Sequence, residues 1–376
     1  MKCLNICIVC SWLGVVAEGI AAIPKAEVAF SSVERGNEIE IKSLLAEKND
    51  FYAVIRRNTY ALQDYSYRLL VSAPEKKIIS LDVSGANQQF VRVGRIGLAN
   101  DGELIIPLSN KNKAYFYKYD KKNGKVSTYI DMALDFDIDS IFFSGGRFFV
   151  AGIKSGRSKL FELISDDLKI YKLREVELSG YIALNFNDLI VEKNIYIAAE
   201  FVVNNKKEFG TLSVANTGQS KYVKLPPSGP NAEIKIIGFL SGAIAVSIND
   251  LTPGSYKKIS GIFFTDFSST PTYKKFSGSY VQSSTALTCT PFEVVALNIQ
   301  NDEKNDKLSY QYLNNKTNID IEFPGEYRKL YSQIFASRTD SGIYAGLVYN
   351  EIRNYKSFQI FSVVKVELAD NAECKK

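Results

Sequence analysis

The chain has 376 residues, 46% of them apolar and 23% charged, with 46 basic against 41 acidic side chains. That is ample material for a large core, and the small cation excess is dispersed singly or in pairs such as Lys76-Lys77 and Lys121-Lys122, which argues against nucleic acid as a partner because no basic face is concentrated. There is no histidine, so imidazole-based triads, His-ligated zinc and imidazole general bases are excluded together.

Residues 1–22 carry Lys2, then an apolar run over 6–16, then small residues ending at Ala21 and Ala22. This is the layout of a signal peptide, with Gly19-Ile20-Ala21 as the cleavage context. The run falls short of the roughly 20 residues that span a bilayer, and no later segment is long enough, so no transmembrane segment is expected. Residues 23–376 are then a secreted or periplasmic chain. Three of the five cysteines, Cys3, Cys7 and Cys10, leave with the leader. The pair that stays, Cys289 and Cys374, is expected to form a disulfide in an oxidising compartment.

Along the rest of the chain one phrase recurs, a turn residue followed by apolar and small residues. Its copies are 50–57 (DFYAVIRR), 102–109 (GELIIPLS), 146–153 (GRFFVAGI), 194–201 (NIYIAAEF), 242–249 (GAIAVSIN), 291–298 (PFEVVALN) and 342–349 (GIYAGLVY), starting 52, 44, 48, 48, 49 and 51 residues apart. Each sits among four strand-like runs, as in 90–98, 103–108, 114–119 and 126–130, with the turn 120–125 (DKKNGK) between the last two. The next unit reads 136–143, 147–153, 160–164 and 169–173.

The phrase is apolar on both faces, as Phe148, Phe149 and Val150 show, so both faces need cover. Sheets stacked around an axis supply it. The expectation is therefore an all-β, single-domain, seven-bladed β-propeller with four antiparallel strands per blade. At its end only 365–368 remains for a fourth strand, whereas 26–33 has no place in the first unit. The ring is accordingly expected to close with 26–33 in the last blade.

The only Trp, Trp12, lies in the leader, so neither the Trp-Asp of WD repeats nor the Trp-bearing box of sialidases is present. Gly145-Gly146 with the run 147–152 is similar to one kelch repeat, but the double glycine does not recur in the other six units.

Innermost strands of a propeller line a hydrated funnel. Counting back nine residues from units three to seven gives Asp137, Asn185, Glu233, Gln282 and Gln333, and counting back seven gives Asp139, Asn187, Lys235, Ser284 and Phe335. Units one and two present Glu40 and Arg92, where the alternation shifts by one. Asp135, Asp137 and Asp139, alternating along one run, are candidates for calcium; apart from calcium no cofactor is expected. Tyr115, Tyr117, Tyr119 and Tyr129 read either as core or as a binding surface. The function expected is that of an exported, non-enzymatic binding or scaffold module for a protein or glycan partner. The alternative is a hydrolase or lyase of carbohydrates or lactones, with Asp137 and Glu233 moving protons and Arg92 holding an anion.

Overall fold

The computed structural model describes residues 26–366 apart from 35–36, 60–63, 73–75, 84–90, 166–170, 227–231, 241, 251–259, 277–281, 288–293, 301–305, 313–318, 323–327, 340–341 and 354–355. Residues 1–25, which hold the leader-like segment, and Cys289 and Cys374 lie outside the described residues. Among those residues there are strands and no helix, in seven small antiparallel sheets set in a ring.

After β1 (Ala26–Glu34), the first blade is β2 (Asn37–Glu47), β3 (Asp50–Thr59), β4 (Asp64–Val71) and β5 (Lys77–Leu81). The second is β6 (Val91–Val93), β7 (Gly97–Leu98), β8 (Leu104–Asn110), β9 (Lys113–Asp120) and β10 (Lys125–Ala133). Blade three holds β11 (Asp137–Ser144), β12 (Arg147–Lys154), β13 (Arg157–Ser165) and β14 (Tyr171–Glu175). Blade four holds β15 (Ile182–Val191), β16 (Ile195–Val203), β17 (Lys206–Val214) and β18 (Ser220–Lys224). Blade five holds β19 (Ala232–Leu240), β20 (Ala243–Asp250), β21 (Ser260–Thr265) and β22 (Thr272–Lys275). Blade six holds β23 (Gln282–Leu287), β24 (Val294–Gln300), β25 (Lys307–Tyr312) and β26 (Ile319–Asp320). Blade seven is β27 (Arg328–Thr339), β28 (Gly342–Arg353), β29 (Lys356–Val366) and, from the other end of the chain, β1.

The recurring phrase is the second strand of every blade, and in six blades its two faces serve two different cores among the described residues. Phe149 packs into the seam between blades three and four, whereas its neighbour Val150 packs into the seam between blades two and three. The same holds at other seams: Val54, Leu69, Ile106 and Tyr119 fill the one between blades one and two, and Ile41, Phe51, Tyr344 and Phe361 fill the one between seven and one. A sheet with both faces apolar is stable only when both are covered, and here each blade covers its neighbours. Tyr115, Tyr117 and Tyr119 are buried core, while Tyr129 is exposed.

β1 closes the ring as expected. It runs antiparallel to β29 from Ala26↔Val366 to Glu34↔Gln359, and the Ala26 N–H also donates to the Glu322 carbonyl (3.0 Å). Lys365 and Val366 continue β29 rather than starting a strand of their own, so the place expected for 365–368 is taken by β1.

Two expected strands differ. The fourth strand of blade three, Tyr171–Glu175, runs two residues beyond the expected 169–173, of which 169–170 lie outside the described residues. The run 90–98 is not continuous but splits into β6 and β7 around Gly94, Arg95 and Ile96. Opposite the break stands Pro107, which has no N–H to offer the ladder; its carbonyl instead accepts from the Gly94 N–H (3.0 Å). Gly94 sits so close to blade three that an added Cβ would fall 2.2 Å from the Ile141 carbonyl oxygen.

Unfolding measurements test both the closure and the break. Deleting residues 26–34 from a chain that starts at residue 23 should lower the melting temperature by about 10 °C or more, measured by circular dichroism; an unchanged melt would contradict closure by β1. Gly94→Ala should cost about 2–3 kcal/mol in urea unfolding, because the clash is with backbone that cannot rotate away.

Candidate functional site: the central bore

The innermost strands turn their side chains toward the ring axis, and most of them carry a β-bulge there. Register shifts occur between Ile41 and Ser43, Ile138 and Ser140, Phe186 and Asp188, Ile236 and Gly238, and Tyr331 and Gln333. A bulge leaves one residue out of the ladder and bends the strand. In four blades that residue, Lys42, Asp139, Asn187 or Ile237, lines the bore.

In four of the five bulged blades the residue after the bulge does a second job. It reaches into the seam and bonds the backbone of the next blade's inner strand, whose own pairing is interrupted there. Gln333 of blade seven accepts from the Ile41 N–H (2.7 Å) and donates to the Ile41 carbonyl (2.9 Å). Ser43 accepts from the Ile96 N–H (3.0 Å), Ser140 donates to the Phe186 carbonyl (2.8 Å), and Asp188 accepts from the Ile236 N–H (2.8 Å). Blades two and five carry Gly94 and Gly238 after the break or bulge, with no side chain to make the link.

Asp188 is the charged member of this set. It is buried, accepts also from the Leu189 N–H (2.9 Å), and pairs with the Arg95 guanidinium. Arg95 donates further to the Ile236 carbonyl (2.7 Å), so a side chain released by the break in blade two spans the bore to blades four and five. Burial pushes the Asp188 carboxyl up, against the pull of Arg95 and the two amides.

Around this crossing lies a cavity of about 620 Å³. Of the residues expected in the funnel, Arg92, Asp139, Asn187, Glu233 and Lys235 line it, and Phe335 does too. Glu233 pairs with Lys235, whose ammonium stands 4.3 Å from the centre of the Phe335 ring, a cation–π contact joining blades five and seven. Arg92 and Asp139 have no hydrogen bond or ion pair among the described residues, although they feel each other's charge; burial pushes the Asp139 carboxyl up, with Arg92 opposing. Lys42 pairs with Glu40 (2.6 Å), and desolvation holds its ammonium below the usual lysine range.

Four expected residues with described side chains lie outside the cavity. Glu40 is taken up by Lys42 and Arg56. Asn185 donates to Glu200 (2.8 Å). Asp137 is exposed. Gln333 faces the seam rather than the funnel because the bulge before it reverses the alternation.

The three aspartates proposed for calcium do not gather. Asp135 precedes β11, where strand alternation does not yet apply, and pairs with Lys154 (3.0 Å); Asp139 is the bulged residue and turns into the bore. Among the described residues no three Asp, Glu, Cys or His side chains are placed to hold a metal ion.

Lys42, Arg95, Asp188 and Asn249 are site residues that counting by unit missed. The available signals were a glycine inside a strand-like run at Gly94 and two adjacent polar residues, Asn187-Asp188, where alternation calls for one.

No protein-family model matches the chain, and no curated protein matches its sequence. Among solved structures it is similar to a chain in a crystal structure of the mitotic checkpoint complex, at 10% identity, with 97% of this chain and 100% of that chain covered and a TM-score of 0.51. It is also similar to the polysaccharide lyase Uly1, at 8% identity over 86% of this chain and 89% of that one, TM-score 0.49. A third likeness is to an acylaminoacyl peptidase of Pyrococcus horikoshii, at 10% identity over 88% of this chain, TM-score 0.48; the chain spans about half of that protein, 52%. At such identities the likeness concerns fold alone. Fold and bore together define a seven-bladed propeller with a polar, mixed-charge channel.

The Arg95–Asp188 pair can be tested directly. Arg95→Met should cost about 2–3 kcal/mol in urea unfolding, somewhat less than breaking a fully buried pair because Arg95 is partly solvated. In an Asp188→Asn background the same change should cost under about 1 kcal/mol. Equal costs in both backgrounds would show that the pair contributes nothing.

Proposed function

We propose that this protein is an exported, non-enzymatic propeller that binds a protein or glycan partner at the mouth of its bore. The observation that carries this reading is the state of the bore's carboxylates. Acid–base glycoside chemistry needs two carboxyl groups facing a common gap, one protonated and one ionised. Glu233 is engaged by Lys235, and Asp188 by Arg95 and two amides. Asp139 is left as the one lining carboxylate without a hydrogen bond or ion pair among the described residues. Asp137, the other half of the acid–base pair in the enzymatic reading, is outside the cavity that Glu233 lines. Such an arrangement suits recognition better than proton transfer.

Export rests on the leader-like residues 1–22. Among the described residues, no helix is long and apolar enough to cross a membrane.

The test pairs binding with turnover. The exported chain, immobilised, should retain its partner with a saturable curve, and a panel of polysaccharides and lactones should give no product. Product accumulating over many equivalents of protein, and lost in Asp137→Asn or Glu233→Gln, would establish the enzymatic alternative instead.

A further inference from the structure

The bore holds polar groups that its own architecture leaves uncommitted, and their chemistry is specific. Arg92 and Asp139 line the cavity without a hydrogen bond or ion pair among the described residues. Asn187, the bulged residue of blade four, is exposed to the same space and likewise has no bonding partner among the described residues. Asn249 of β20 is different again. Only 3% exposed, it lines the cavity, its amide nitrogen donates to Ser247 (3.3 Å), and its carbonyl oxygen has no partner among the described residues. A buried amide acceptor left open is destabilising, and a ligand O–H or N–H would satisfy it.

Together these are a guanidinium fork, a carboxylate and two amides. Donors and acceptors so mixed complement a run of hydroxyl groups rather than an apolar molecule. Charge adds a second constraint. Among the cavity's cationic residues Lys42 pairs with Glu40, Arg95 with Asp188 and Lys235 with Glu233, whereas Arg92 has no ion pair among the described residues. That guanidinium favours an anion, since a guanidinium binds a carboxylate through two parallel hydrogen bonds. Asp139, close enough to sense Arg92, would repel a bare acid. An acid that also carries hydroxyls gives that carboxylate a donor to accept from. The volume, about 620 Å³, is in the range of small-molecule sites.

We propose that the bore binds a sugar bearing a carboxylate, with Arg92 on the acid group and Asp139, Asn187 and Asn249 on the hydroxyls. This rests on the bore being a binding site and names the class of ligand it takes. The sugar acid is either free or the acidic end of a glycan.

Isothermal titration calorimetry on the whole exported chain separates the requirements. Glucuronate has both acid and hydroxyls, glucose only hydroxyls, hexanoate only the acid, and trigalacturonate presents the same groups at the end of a glycan. Glucuronate or trigalacturonate should bind saturably, with glucose and hexanoate weaker by at least about tenfold. Tighter binding of trigalacturonate identifies a glycan end, and equal binding a free sugar. Arg92→Ala, at an exposed position, should leave the melting temperature unchanged and weaken the sugar acid by at least about tenfold. Asn249→Ala should weaken it while sparing hexanoate.

Glucose or hexanoate binding as well as glucuronate would overturn the proposal, as would an Arg92→Ala affinity equal to wild type or no saturable heat from either acid. If the acids fail while the immobilised chain still retains its partner, the ligand class is wrong and the binding-module reading stands. Breakdown of trigalacturonate would overturn that reading itself.

Discussion

Among the described residues, the second strand of six of the seven blades is apolar on both faces, and a strand of that kind has to be covered twice. A flat sheet exposes one face at each end of the stack, whereas a ring of sheets exposes none. Phe149 and Val150, adjacent in sequence, are buried in different seams. Closure is therefore a condition of burial. It explains why β1 crosses from the far end of the chain to complete the seventh blade, and why Ala26 and Val366 lie in one core.

Packing alone would let the blades slide past one another. The bulged inner strands prevent this through directional bonds. Interrupting the ladder exposes a backbone group in one blade, and the side chain after the neighbouring bulge satisfies it; Gln333 on Ile41 and Asp188 on Ile236 are the clearest cases. The same bulge turns the preceding residue into the bore. One local irregularity thus both fixes a blade against its neighbour and supplies the polar lining. Stability and the lining of the bore share a few positions, and Arg95, which ties three blades together across the channel, belongs to both.

Much of the fold was legible because its cause is periodic. A phrase recurring near every fiftieth residue marks the second strand of each blade, and a leftover segment at the start, matched to a deficit at the end, marks the closing strand. The bore was legible in part. Arg92, Glu233 and Lys235 line it as alternation requires, and Asp139 and Asn187 line it as bulged residues, but alternation carries no memory of a bulge. One extra residue reverses every later side chain, which is how Gln333 left the funnel for the seam and how the run of three aspartates came apart. Arg95 depends on a break imposed by Pro107 from the neighbouring strand, and Asp188 on an amide of the next blade. Such causes lie between strands and between blades, where no single segment records them.

The pairing that closes the ring brings Ser31 opposite Ser362, with their hydroxyl oxygens 3.0 Å apart. The direct measurement is to place cysteines at both positions, with Cys289 and Cys374 changed to serine, and to map the oxidised monomer by mass spectrometry. Mild oxidation should join Ser31→Cys to Ser362→Cys within one chain and raise the melting temperature, since side chains so placed meet the reach of a disulfide. A monomer that stays unlinked, or that links only between molecules, would mean that the first strand does not complete the last blade.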